Sequence, residues 1–138
     1  MIKKSAGGII LNKKKQLVLA RMPDDSWSFP KGGVEKDEDA LKAAKREILE
    51  ECGISNPELI KEIGMFSRSK KEKIVDGKKC VLEKTIVLFL FESNQEILTP
   101  IDPLHPEARW VSYSDALKML SHSEDAEFLR KFWEMEIL

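Results

Sequence analysis

Between Glu38 and Cys52 the hydrophobic period of this chain changes from that of strands to that of a helix, and no other stretch constrains the fold as tightly. Leu41, Ala44 and Ile48 recur at i, i+3 and i+7, and Gly53 stands where a left-handed cap would close the helix. Asp37 is the expected N-cap. The same segment carries Glu47, Glu50 and Glu51. At about 100° per residue, with Glu47 as zero, Glu50 falls near −60° and Glu51 near +40°. The apolar stripe lies between about 60° and 120°. One face packs, and its neighbour is a cluster of negative charge.

That cluster is costly in isolation. The 47/50 and 47/51 pairs cost about 0.2 to 0.5 kcal/mol each, and two anions in the last turn oppose the helix dipole by roughly 0.3 to 1 kcal/mol apiece. The sum is about 1 to 3 kcal/mol. Arg46 can pair with Glu50 four residues on, but one guanidinium does not neutralise three carboxylates. A hard divalent cation would, since Mg²⁺ takes one or two carboxylates together with water and phosphate oxygens. The plainer alternative is a solvated charged face. The preceding loop favours the cation, because Gly32 and Gly33 leave the backbone open to close approach and Lys31 adds a positive charge beside them.

Around this helix the patterns alternate. Ser5 to Leu11 and Gln16 to Arg21 read as strands joined by a short polar loop, and Trp27-Ser28-Phe29 as a brief strand stopped by Pro30. Leu59 to Ser67 and Val81 to Glu92 read as longer strands joined across Asp76-Gly77, a turn signal. Ala108 to Val111 is a last short strand. Ser112 or Ser114 can cap a helix through Leu120, and Ser123 can cap an amphipathic helix carrying Ala126, Phe128, Leu129 and Phe132. This order indicates a mixed sheet covered on both faces.

With 138 residues, 42% of them hydrophobic, the chain is expected to form a single domain over 1–138. Its 23 basic and 24 acidic residues leave a net charge of −1, so the overall field gives no reason to expect a nucleic-acid polymer or an anionic membrane as partner. The Ala6 to Leu11 apolar run is too short and too soon interrupted for a signal peptide, and Cys52 and Cys80 lack metal-type spacing. A cytoplasmic, reduced protein is expected.

The segment 32–54, GGVEKDEDALKAAKREILEECGI, resembles the box of the Nudix hydrolases. Gly32, Glu38, Arg46, Glu47, Ile48, Glu50, Glu51, Gly53 and Ile54 occupy every required position. With seven fixed identities at roughly one in fifteen, a chance match is on the order of 10⁻⁸ per starting point. The likeness continues in Ala6-Gly7-Gly8, in the run from Trp27 through Pro30 and Lys31 to Gly32, and in Trp110-Val111. It implies an α/β fold of the Nudix type, an α/β/α sandwich around a mixed sheet flanked by helices. It also implies water attack on a phosphorus of a nucleoside diphosphate linked to a further group. By the same resemblance Glu47, Glu50 and Glu51 are the metal ligands and supply the base. Arg46 orients Glu47, Glu38 supports the loop with Gly32 and Gly33, and Lys31 offers its main-chain carbonyl to a Mg²⁺ ion, with Mn²⁺ as a substitute.

The Pro30-Lys31-Gly32-Gly33 form of the loop, Lys84-Thr85 and the stretch from His105 to Trp110 are similar to diadenosine tetraphosphate hydrolases, although Gly33 stands where that branch often has His and Leu104 where an acid is common. The implied substrate is a dinucleoside polyphosphate. A nucleoside triphosphate is the alternative, and a non-catalytic nucleotide-binding domain ranks below both because every box glutamate is present. Arg21, Lys31 and Lys84 are candidates to grip phosphates and Trp27 to stack on a base. His105 and Glu107 are weaker candidates for contact with substrate and metal respectively.

Overall fold

A computed structural model describes residues 2–137, with the side chains of 2, 69–73 and 80–82 outside the described set. Cys80 is among the latter, while Cys52 is a buried free thiol. The elements are β1 (Ile2–Leu11), β2 (Leu17–Arg21), β3 (Trp27–Ser28), β4 (Lys31–Gly33), α1 (Ala40–Cys52), β5 (Glu58–Val75), β6 (Lys78–Glu92), β7 (Glu107–Val111), α2 (Tyr113–Met119) and α3 (Ser123–Glu136).

The sheet runs β3-β2-β1-β6-β5, with β4 also on β1 and β7 also on β2. β1 and β6 are parallel, from Ile2↔Glu83 to Leu11↔Glu92, and the remaining pairs are antiparallel, so the sheet is mixed. One edge of β1 is shared. Its end pairs with β2 at Leu11↔Leu17, and its beginning pairs with β4 at Ser5↔Gly33, Ala6↔Gly32 and Gly7↔Lys31. β3 ends at Ser28, one residue short of the expected strand through Phe29, and the chain returns to the sheet after Pro30 at Lys31.

Strand alternation sorts the apolar residues into two cores. Ala6, Ile10, Val18, Ala20, Val87, Phe89 and Phe91 pack with Ala43, Ala44 and Ile48 of α1 on one face. Ile9, Leu17, Leu19, Phe29, Ile86 and Leu88 pack with Leu129, Phe132 and Trp133 of α3 on the other. Both faces are covered, as the pattern of elements indicates.

Several helix starts differ from expectation. The N-cap of α1 is Asp39, whose side chain accepts from the Lys42 amide at 2.8 Å, and not Asp37. Asp37 is left-handed (φ 67°) in a turn closed by the Glu38 amide on the Glu35 carbonyl, and that turn delays the helix. Ser112 caps α2, but α3 is preceded by His122 with no side-chain cap bond; Ser123 is already helical and donates to Glu124. Asp76 and Gly77 are both left-handed (φ 52° and 76°), as a two-residue hairpin turn requires, and β5 and β6 extend to meet at Val75↔Lys78. Among the described residues no helix is long and apolar enough to cross a membrane.

Candidate active site

α1 starts beyond the loop after β4, and the close packing of the two builds the acidic face. Glu47 and Glu51 are buried, Glu51 completely, so the reading of a solvated charged face fails for both. Glu50 remains 40% exposed. A Cβ on Gly32 would lie 2.1 Å from the Glu47 carboxyl carbon, so Gly32 is needed because Glu47 presses on its backbone. At Gly33 an added Cβ would meet nothing within 4 Å, and this glycine serves through its carbonyl.

Arg46 ties these parts together. Its Nε and Nη2 donate to the two Glu38 carboxylate oxygens at 2.8 and 3.0 Å, Nη2 donates to the Gly33 carbonyl at 3.0 Å, and Nη1 donates to Glu47 at 2.7 Å and Glu50 at 3.4 Å. Glu38 in turn accepts from the Glu35 amide at 3.1 Å. The hydrogen bonds from Arg46 hold the Glu38 carboxyl down to about 2, and those to Glu38 and then Glu47 raise the guanidinium further. Arg46 therefore orients Glu47, and Glu38 braces Arg46 against the loop.

Glu51 stands apart from this network. Burial pushes its carboxyl far above the ordinary range, and Glu47 beside it pushes in the same direction. Its Oε1 lies 3.4 Å from the Lys31 amide, and its buried Oε2 has no hydrogen-bond partner among the described residues. Lys31 pairs with Gly7 at a register position where its amide and carbonyl both point away from β1, toward α1. Among the described residues no group of three His, Cys, Asp or Glu side chains already stands as a ready-made cation cage. The parts nevertheless fit a hard divalent cation: two buried carboxylates, a third half-exposed one, an orphaned oxygen and a backbone carbonyl, all oxygen donors.

The loop after β6 closes over the end of α1. The Ile101 and Asp102 amides donate to the Glu50 carbonyl at 2.9 and 3.0 Å, satisfying a helix-end acceptor. His105 is thereby brought to 3.8 Å from Glu51 and 3.4 Å from Asp102. The position of His105 follows from a loop contact that no motif encodes.

The cationic candidates separate into two groups. Lys31 and Lys84 are neighbours on the α3 face of the sheet, where burial lowers both ammonium groups; Lys84 and then Arg68 lower Lys31 further, and Arg68 lowers Lys84. Arg21 is not brought to them; it faces Asp25 at 3.8 Å and Glu107 at 3.9 Å. Glu107 also binds Arg109 and stands in register with Arg21, engaged there with cations. Trp27 packs partly buried on the α3-side core, with the Arg109 guanidinium 5.2 Å over its ring. Arg68 was missed from sequence. It lies beside Lys31 and Lys84, and its Nη2 donates to Asp125 of α3 at 2.6 Å, a pairing 57 residues apart that no local pattern announces.

A mixed sheet between helices, with a buried acidic helix face braced by one arginine and preceded by a glycine loop, defines a class of α/β proteins that handle phosphate through bound cations. The NUDIX domain family model matches residues 1–132, and the chain belongs to that family. It is similar to an RNA pyrophosphohydrolase of Pelagibacter ubique, 33% identical over 80% of this chain and 76% of the relative. It is also similar to the asymmetrical bis(5'-nucleosyl)-tetraphosphatase of Caenorhabditis elegans, 29% identical over 96% of this chain and 95% of that one. The crystal structure of a C. elegans Ap4A hydrolase binary complex superposes with a TM-score of 0.69 at 25% identity, covering 96% of both chains. The protein is a Nudix hydrolase acting on pyrophosphate bonds, in a family whose members use divalent metal ions.

Proposed function

We propose that this chain is a Mg²⁺-dependent pyrophosphohydrolase of dinucleoside polyphosphates, with diadenosine tetraphosphate as the representative substrate. The observation that carries the reading is the meeting, at β4, of the acidic face of α1 with the Lys31–Lys84 pair. The full-length likeness to the C. elegans tetraphosphatase supports the substrate class.

Glu47, Glu50, Glu51 and the Lys31 carbonyl would hold the cation, which when bound would polarise phosphoryl oxygens and acidify a water. A carboxylate of α1 accepts the proton of the attacking water as the water oxygen bonds to phosphorus. The bridging P–O bond breaks, and its electron pair leaves with the departing phosphate. Arg46 keeps Glu47 in place, while Lys31 and Lys84 hold the rest of the anion.

A second reading is favoured by the RNA pyrophosphohydrolase relative: release of pyrophosphate from an RNA. A hydrolysis panel of diadenosine tetraphosphate, nucleoside triphosphates and 5'-triphosphorylated RNA, with products identified, separates them. The expected result is a preference for the tetraphosphate with ATP and AMP as products. Lys84→Ala should lower kcat/KM for it by about 1 to 3 kcal/mol and affect a triphosphate less. Release of pyrophosphate from a preferred triphosphate or RNA end, with equal losses on mutation, would overturn the assignment.

A further inference from the structure

On the α3 face of the sheet, directly behind β4, three cationic side chains converge where an ordinary core would be apolar. The register brings Lys31 of β4 and Lys84 of β6 to the same face on either side of β1, and Arg68, opposite Lys84 on β5, acts on both. Lys31 is 6% exposed. Arg68 is fixed rigidly: its Nε and Nη2 reach the two oxygens of the fully buried Asp125 at 3.1 and 2.6 Å, and Nη2 also donates to Ser28 Oγ at 3.0 Å. Ser28 Oγ stands 3.4 Å from the same carboxylate.

One atom in this cluster has no partner. Ser5 pairs with Gly33 on one side and Ile86 on the other, which places it one diagonal step from both Lys31 and Lys84 on the same face. Ser5 is 1% exposed, and among the described residues its Oγ has no hydrogen-bond partner. The buried Ser5 hydroxyl forgoes a hydrogen bond, and Arg68 and Lys84, opposite each other in the β5–β6 register, crowd like charges beside it. Asp125 is already committed to Arg68. An oxyanion resting between the two lysines, Arg68 and Ser5 would satisfy all of them at once.

We propose that Ser5, Lys31, Lys84 and Arg68, the last locked by Asp125, form a phosphate-binding subsite on the α3 face that holds a phosphate of the substrate remote from the scissile bond without help from a metal. This rests on the polyphosphate reading above and deepens it, with Arg68 and Ser5 as determinants of chain length. Because the contacts are side chains alone, the subsite binds a short polyphosphate even when divalent ions are chelated.

The test is titration calorimetry of the intact protein with inorganic tripolyphosphate in EDTA, at two salt concentrations. Wild type should bind, more weakly at higher salt. The paired substitution Arg68→Gln with Asp125→Asn, which keeps neutral hydrogen-bonding groups, should weaken binding at least tenfold with the fold intact by circular dichroism. Ser5→Ala guards against a folding artefact: removing an orphan hydroxyl should leave the melting temperature equal or higher while affinity falls three- to tenfold. No tripolyphosphate binding by wild type, or unchanged affinity in folded Ser5→Ala, would overturn the subsite. Failure of the enzymatic reading shows separately, as absence of hydrolysis of every substrate in the panel.

Discussion

Glu51 is the residue at which burial and charge conflict most strongly. Its folded carboxyl is raised by desolvation and then by Glu47, so the native state retains a proton that the unfolded chain has released. The contribution of that proton to stability is full below the ordinary carboxylate value and is lost as pH rises through the raised one. Glu38 has the opposite sign: held down to about 2 by Arg46, it contributes above the ordinary value and loses that contribution as pH falls toward 2. In metal-free buffer the melting temperature should fall between pH 6 and pH 9 in wild type, and less in Glu51→Gln. Saturating Mg²⁺ should recover the loss in wild type, up to about 2.7 kcal/mol at a hundredfold excess over Kd, and not in the variant. Calorimetric melting checks this; equal Mg²⁺ responses in both proteins would remove Glu51 from the metal site.

At the scale of elements, the β4–α1 contact sets the site. Gly32→Ala would drive a methyl group into the Glu47 carboxylate, which Arg46 and the packing of Ile48 hold in place. Its expected cost is about 1 to 3 kcal/mol, the usual range for overpacking. Gly33→Ala meets open space and should change stability by less than about 0.5 kcal/mol. Denaturant unfolding of the two variants measures the difference, and equal stabilities would contradict the close approach of loop and helix. The helix and its acidic face were legible in the sequence because both follow from a local period. The strand pair across Asp76-Gly77 was legible because left-handed turns select Asp and Gly. The start of α1 was misread, since Asp37 and Asp39 are equally good caps and only the turn at 35–38 decides between them.

At the scale of the whole molecule, the two proposed surfaces lie on opposite faces of one sheet and meet at β4. Lys31 belongs to both: its backbone faces α1, and its side chain joins Lys84 and Arg68 on the α3 side. That arrangement depends on β1 sharing one edge between β2 and β4, a topological fact that no spacing in the sequence states. For the same reason Arg21 and Lys84 read alike as strand cations near the box, while the register places Arg21 opposite Glu107. The Arg68–Asp125 pair likewise needed the sheet and α3 to be assembled before it could be seen. The central claim is that α1 carries metal-dependent hydrolysis, and it is tested most directly by kcat in saturating Mg²⁺ for Glu47→Gln, Glu50→Gln and Glu51→Gln, each checked for fold. At least one should fall a hundredfold or more, roughly the scale of losing a general base; three folded variants turning over diadenosine tetraphosphate at near wild-type rates would contradict it.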